Sequence, residues 1–394
     1  MSTLKVDAIR HNSATSDAIT TAADGTCTAK LTSVGGGQLS HRNLIINGAM
    51  NVAQRGTSTT SNGYGFVDRF QTSVGTLSTG GNVTRSQQSL SSSDTGPWQA
   101  GFRKYARMST VAAGSASANS YIEIYTHLEA QDIANSGWDY GSASGNITLS
   151  FWFRCSANQT FYAYLRSRDG TSQAYTFSFT ASGNNTWTKI THTIPGNSNL
   201  TFDNDNGSGL SLYWTPFYGT DYTNNKTLNT WAAYDQNNQT PDMASTWLTS
   251  GAATWDITGI QLEVGDTATT FEHRSVGDEL RRCYRYFQKL TSSDAYQWVS
   301  LVSFYSNTEI HGFLKHFETM RAVPTLSATT GANTLAVQRA GGSVAWSTGL
   351  VKNGGDLNMT YFYRDGVNGL GTSGQCGRCL TWTAGSTITL SAEF

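Results

Sequence analysis

The chain has 394 residues, enough for two or three domains, with 13% charged and 12% aromatic residues, 40 glycines and 5 prolines. Low charge with many aromatic, β-branched and turn-forming residues is the reverse of a disordered composition and calls for short strands joined by polar turns. A formal net charge of -1 offers no basic field for nucleic acid or an anionic membrane surface, and no apolar run approaches the length of a membrane span.

Residues 1–45 read as a separate attachment segment. Leu4, Val6 and Ile9 come early, Thr/Ser/Ala/Asp-rich sequence follows through Cys27 and Lys30, and Gly35-Gly36-Gly37 makes a flexible break. With so few large apolar residues, the segment must pair with copies of itself or with another protein. The first seven residues lack the apolar region of a secretory signal, so the chain is expected to stay in the cytoplasm where it is made until a carrier takes it out.

Residues 46–274 carry strand patterning. Ile147, Leu149, Phe151, Phe153 and Cys155 alternate at period two, as do Tyr175, Phe177 and Phe179, and again Leu210, Leu212 and Trp214. Turns at 168–170, 182–185 and 206–209 separate them, which predicts a two-sheet β-sandwich. Near its end the phase changes: Trp255 and Ile257 share one parity, Ile260, Leu262 and Val264 the other. That shift predicts a bulge at Thr258-Gly259. A linking helix is predicted over 275–290, where Leu280, Cys283, Tyr284 and Phe287 form one apolar stripe behind a Ser275 cap and Asp278. Residues 291–394 are strand-rich again and read as a second, smaller β domain.

Histidines at 11, 41, 127, 192, 273, 311 and 316 flank no nucleophile motif. Five cysteines include a lone Cys376-Gly377-Arg378-Cys379, expected to be a reduced turn or a bridge formed late rather than a zinc site, which needs about four ligands. Asp203 and Asp205, before Asn206-Gly207, resemble half of a calcium loop, but Trp214 stands where such a loop would supply its bidentate acid. They are the one candidate for a metal, and no other cofactor is expected. The densest aromatic-plus-amide set lies at 213–247. Trp214 belongs to the core by its alternation, leaving Tyr218, Tyr222, Trp231 and Tyr234 as candidate carbohydrate contacts, with neutral side chains that suit an uncharged glycan.

Residues 257–274 (ITGIQLEVGDTATTFEHR), continuing into Gly277-Asp278-Glu279-Leu280 and Cys283-Tyr284-Arg285-Tyr286-Phe287, resemble a signature of bacteriophage tail-fibre and receptor-binding proteins, especially those of marine cyanophages. Residues 44–50 (LIINGAM), Gln54-Arg55-Gly56 and 65–70 (GFVDRF) resemble the partner signature that opens the same domain. Thr3-Leu4-Lys5-Val6-Asp7-Ala8-Ile9 and Met320-Arg321-Ala322-Val323-Pro324-Thr325 look like the N-terminal and C-terminal phrases of such fibres.

The resemblance implies an all-β protein with a jelly-roll-like sandwich, a short linking helix and a distal β domain. It implies a homotrimer fixed to a phage tail or adaptor protein through residues 1–45, within a virion, binding a host surface polysaccharide without enzymatic action. Gly259, Gln261, Glu263, Gly265, Phe271, Glu272, His273 and Arg274 would then be structural signature residues, with His273 in a buried or interfacial polar network. The alternatives are a tailspike depolymerase, which needs a carboxylate pair, a non-adhesive virion structural or decoration protein, and a cellular carbohydrate-binding module.

Overall fold

The alternating apolar residues meet across two facing sheets. Ile147, Leu149, Phe151, Phe153 and Cys155, on the strand Asn146–Cys155, are all buried. They pack against Phe161, Leu165, Phe177, Phe179, Leu212 and Trp214 of the opposite sheet. Phe151 meets Trp214 edge-on at 5.8 Å and Phe153 meets Phe179 edge-on at 4.9 Å, the geometry that ring quadrupoles favour. Each such side chain contributes roughly 1.5–3 kcal/mol when fully buried, so the period-two pattern fixes which face turns inward. The structure is a computed structural model and describes residues 6–394 apart from 11, 14, 26, 30–40, 76, 78–82, 111–114, 292–293 and 370. Leu4 and the glycine break at 35–37 lie outside the described residues.

One six-stranded sheet runs, edge to edge, Trp231–Ala233, Gln173–Ser182, Asn158–Ser167, Ser208–Tyr218, Tyr121–Glu129 and Gln71–Gly75. The other runs Thr188–Pro195, Asn146–Cys155, Thr254–Val264, Lys104–Thr110, Val83–Ser89 and Ser58–Thr59. All their pairings are antiparallel and the chain crosses repeatedly from one sheet to the other, giving a jelly-roll-like β-sandwich. Ahead of it, Ala8–Ile9, Ile19–Thr21 and Cys27–Ala29 form a small three-stranded sheet. Asn43 and Leu44, just ahead of residue 46, bond to the sandwich: Leu44 N donates to Leu262 O, and the buried Asn43 donates to Ile260 O and accepts from Leu262 N.

The bulge lies at Gly259, where the register against Asn146–Cys155 slips between Thr258 and Gln261. Gly259 has φ +64°, and a Cβ there would stand 2.6 Å from the Phe102 ring, so both backbone and neighbour demand glycine. The helix is Val276–Tyr284, capped by Ser275 Oγ accepting from Asp278 N. It ends short of 290. Phe287, which fits the helical stripe, instead opens the strand Phe287–Lys289 paired with Ile388–Ser391.

The remaining chain forms a three-stranded sheet (Phe287–Lys289, Ile388–Ser391, Thr325–Ala328) and a seven-stranded one. In the latter, Trp298–Phe304, Ile310–Lys315 and Met359–Arg364 leave Leu301, Phe313 and Tyr361 exposed on one face. Cys376 and Cys379 lie on the strand Cys376–Thr381 rather than in a turn; Cys376 is exposed, Cys379 is buried, and both are free thiols.

The two signature segments bond to each other. Asn43 N donates to Glu272 Oε2 at 2.8 Å, Glu272 N donates to Gln261 Oε1 at 2.7 Å, and Gln261 Nε2 donates to Glu263 Oε1 at 2.8 Å. Arg274 pairs with Glu272 at 3.0 Å and Glu279 at 3.6 Å and donates to the carbonyls of Asn43 and Ile45. Phe271 packs edge-on against Phe102. Gly265 N donates to Asn146 O as the strand ends. His273 is exposed rather than buried, lying against Phe102 with Nε2 within 2.8 Å of Ala100 O.

The same segments tie the sandwich to the C-terminal domain. Glu129, fully buried, accepts from Arg285 Nε and Nη2 (2.6 and 2.7 Å) and from the Tyr286 hydroxyl. Arg69 stacks 3.4 Å above Tyr286 and pairs with Glu393, and Arg321 bonds the carbonyls of Asn206, Ala392 and Glu393.

Candidate functional site

In the sheet containing Tyr121–Glu129, the parity opposite to the core faces outward and is aromatic. Tyr125, Tyr213 and Tyr164 sit directly across from one another on three adjacent strands. Their rings stack in series, Tyr125–Tyr213 at 4.7 Å and 21°, Tyr213–Tyr164 at 4.6 Å and 7°. A register slip between Trp214 and Phe217 returns Tyr218 to the same face. The segment after Tyr218 folds back over this face, held by Gln239 N to Tyr222 O at 2.9 Å, Thr176 Oγ1 to Gln239 O at 2.9 Å and Tyr234 N to Ser172 O at 2.8 Å.

The result is a cleft of about 270 Å³ lined by Tyr121, Glu123, Tyr164, Arg166, Tyr218 and Tyr222, with Tyr213, Tyr234, Gln236 and Gln239 completing its wall. Its polar atoms are ordered. Tyr164 Oη donates to Gln239 Oε1 at 2.8 Å, Tyr234 Oη donates to the same oxygen at 3.2 Å, and Tyr218 Oη donates to Glu123. Burial pushes the Tyr164 and Tyr218 phenols well above their usual pKa, so both remain neutral donors. Burial also pushes the Glu123 carboxyl up to about 7, against the downward pulls of the Tyr218 hydroxyl and Arg168. Arg166 lies 3.5 Å over the Tyr234 ring.

Of the residues expected from sequence, Tyr218, Tyr222 and Tyr234 line this cleft together. Trp231 does not. Its ring packs in the sandwich core beside Tyr175, and its Nε1 donates to Pro195 O at 2.7 Å. Asp203 and Asp205 are exposed: Asp205 Oδ1 accepts from Gly207 N in a tight turn and Asp203 N donates to Asp169. Among the described residues no group of three His, Cys, Asp or Glu side chains is placed to hold a metal. Sequence reasoning passed over Tyr121, Glu123, Tyr125 and Tyr164, although Tyr121-Ile122-Glu123-Ile124-Tyr125 carries the signal, a polar-aromatic parity beside an apolar one.

A wider concavity of about 730 Å³ runs beside the helix Val276–Tyr284. Three of its arginines are paired within the protein, Arg274 with Glu272 and Glu279, Arg281 with Glu318 and Arg285 with Glu129, and Arg282 bonds His41 Nδ1 at 3.1 Å. The tyrosine cleft instead offers ring faces, amides and a guanidinium to a ligand.

Fold and cleft together define an all-β protein whose jelly-roll-like sandwich presents an ordered aromatic cleft on one outer face. No protein-family model and no curated protein matches the chain. Three solved structures show what it is similar to. The enzymatically active domain of tailspike protein 4 of bacteriophage CBA120 aligns at 9% identity and TM-score 0.30, over 57% of this chain and 21% of the tailspike chain. TmCBM61, solved with β-1,4-galactotriose, aligns at 8% identity and TM-score 0.29, over 57% of this chain and 99% of its own. The family 11 carbohydrate-binding module of Clostridium thermocellum, solved with a mixed-linked tetrasaccharide, aligns at 12% identity and TM-score 0.25, over 55% and 98%. This chain therefore spans about a fifth of the tailspike's length.

Proposed function

We propose that this chain is a phage tail-fibre protein that attaches the virion to a polysaccharide on the host surface, holding the sugar in the tyrosine cleft without cleaving it. The observation that carries the reading is the cleft itself. Sugars bind proteins through C–H faces laid on aromatic rings and hydroxyls bonded to planar amides and phenols. Tyr222 and Tyr234, both partly exposed, supply the ring faces, with Gln239 and Gln236 beside them. The resemblance of residues 44–70 and 257–287 to fibre signatures supports the viral setting. Binding rather than hydrolysis is supported by the lining, in which Glu123 is the single carboxylate among the described residues, whereas glycosidases work with a flanking pair.

Three copies held on one virion would turn a shallow site into firm attachment, since linked sites gain strength without new contacts. In this reading residues 1–45 meet the tail or an adaptor protein.

Adsorption of the purified chain to cells and to their extracted polysaccharides tests the function. Binding that disappears in the Tyr222→Ala/Tyr234→Ala double variant, with thermal stability retained, is the expected result. Unchanged adsorption in that variant would remove the cleft from the account. Release of oligosaccharide from the polysaccharide would move the protein to the depolymerase class. Native mass measurement is expected to give a trimer at micromolar concentration, and a monomer would overturn that part.

A further inference from the structure

Arg166 and Arg168 differ from the arginines that the sandwich and its junction pair for themselves. Arg107 and Arg154 share Asp256, Arg285 takes Glu129 and Arg69 takes Glu393. Arg85 and Arg321 bond main-chain carbonyls. Arg166 has neither kind of partner: its Nε donates to Ser172 Oγ at 3.0 Å, leaving both terminal nitrogens without a protein acceptor among the described residues. Arg168 donates from Nε to Ser211 Oγ at 2.9 Å and from one terminal nitrogen to the Tyr213 hydroxyl, again without a carboxylate.

Two guanidinium groups thus sit two residues apart, partly removed from water and matched by no ion pair. Burying charge without a counter-charge is unfavourable, so an arrangement of this kind calls for an anion from outside. Burial, and then the neighbouring Arg168, lower the Arg166 pKa below its usual value, which is the electrostatic mark of a missing partner. The geometry is also prepared for one. Tyr234 lies 3.5 Å beneath the Arg166 guanidinium and Ser172 holds its Nε, which fixes the plane of the fork and leaves its terminal N–H groups as donors for a carboxylate. Glu123, across the cleft, is engaged by the Tyr218 hydroxyl.

We infer that the cleft recognises an acidic sugar, a uronic or nonulosonic acid unit whose carboxylate is taken by the Arg166 guanidinium with Arg168 behind it. The inference rests on the glycan-binding reading above and replaces the expectation, drawn from the neutral residues at 213–247, that the ligand is uncharged. The sugar ring lies against Tyr222, and its carboxylate supplies the charge that the protein leaves open.

The test uses the full chain against a panel of polyuronates and sialylated oligosaccharides, each beside its carboxyl-reduced form, with binding read by calorimetry. Acidic members are expected to bind at least about tenfold more tightly than their reduced forms, the scale of one charge-assisted hydrogen bond. Arg166→Gln should abolish that preference and Arg166→Lys, which keeps the charge but not the fork, should restore it in part. Both variants should melt with the parent. Tyr222→Ala should weaken acidic and reduced members alike. Equal affinity for acidic and reduced members overturns this inference and leaves glycan binding in the cleft standing. Binding to no member of the panel overturns both.

Discussion

Glu123 gives the sharpest quantitative expectation. Its folded-state value of about 7, against an ordinary 4.5, comes chiefly from burial at the base of the cleft. Between those pH values the folded chain keeps a proton that the unfolded chain has released. This contribution to stability is therefore fully present below about pH 4.5, falls as pH rises and is lost above about pH 7. The difference of 2.5 units corresponds to about 3 kcal/mol. Replacing Glu123 by Gln keeps the shape of the protonated acid and removes the titration. The variant should match the parent near pH 4.5 and exceed its stability by about 3 kcal/mol near pH 8, somewhat less where cleft water screens the charge. His127, which burial and Arg168 push down to about 3, tilts the parent's profile the opposite way. The useful readout is therefore the difference between the two proteins, measured as urea midpoints by tryptophan fluorescence at both pH values. A difference that does not change with pH, or a variant weaker than the parent at pH 8, would refute the argument that burial controls this carboxyl.

Gly259→Ala must adopt a left-handed backbone and press a methyl into the Phe102 ring, so a loss of about 2–4 kcal/mol is expected in the denaturation of the sandwich. Glu129→Gln leaves Arg285 half-buried without its counter-charge; a loss of about 3–5 kcal/mol at the junction should separate the two domains into distinct calorimetric transitions. Trp231→Ala should cost about 3–5 kcal/mol of stability through the core while leaving the affinity per folded molecule unchanged, the opposite pattern to Tyr222→Ala.

The sandwich was legible because a half-buried strand must alternate, and 147–155, 175–179 and 210–214 alternate without interruption. The bulge was legible for the same reason, since a parity change inside one apolar run has few other causes. The helix end was not. Phe287 satisfies the helical spacing, and what draws it out is pairing with Ile388–Ser391, far away in sequence. The cleft was half legible. Tyr218, Tyr222 and Tyr234 cluster in the chain, but Tyr125, Tyr213 and Tyr164 meet only because Tyr121–Glu129, Ser208–Tyr218 and Asn158–Ser167 are neighbours in the sheet. Trp231 was misplaced because an aromatic in a polar stretch reads as exposed, whereas a three-residue edge strand beside Tyr175 folds it inward. The guanidinium side of the cleft was not legible for a related reason: Arg166 and Arg168 belong to a strand and turn remote in sequence from Tyr213 and Tyr234, which they approach.

The recognisable motifs and the candidate site therefore occupy different parts of one framework. Asn43, Gln261, Glu263, Glu272 and Arg274 close the sandwich, and Arg69, Arg285, Tyr286 and Arg321 fasten it to the next domain. Their side chains bond to each other and to main-chain carbonyls, which suits a joint that must stay rigid. The strand Tyr121–Glu129 reaches both regions. Its last residue anchors Arg285 and Tyr286, while Tyr121 and Glu123 line the cleft and Tyr125 stacks on Tyr213 of its wall. Tyr121 and Glu123 lie outside the sandwich core and outside the joint, so they can change while both stay as they are. A search for recognition chemistry in chains of this design should begin on the outward face of that strand, of Ser208–Tyr218 beside it and of Asn158–Ser167 beyond, and only then turn to the segments that identify the fold.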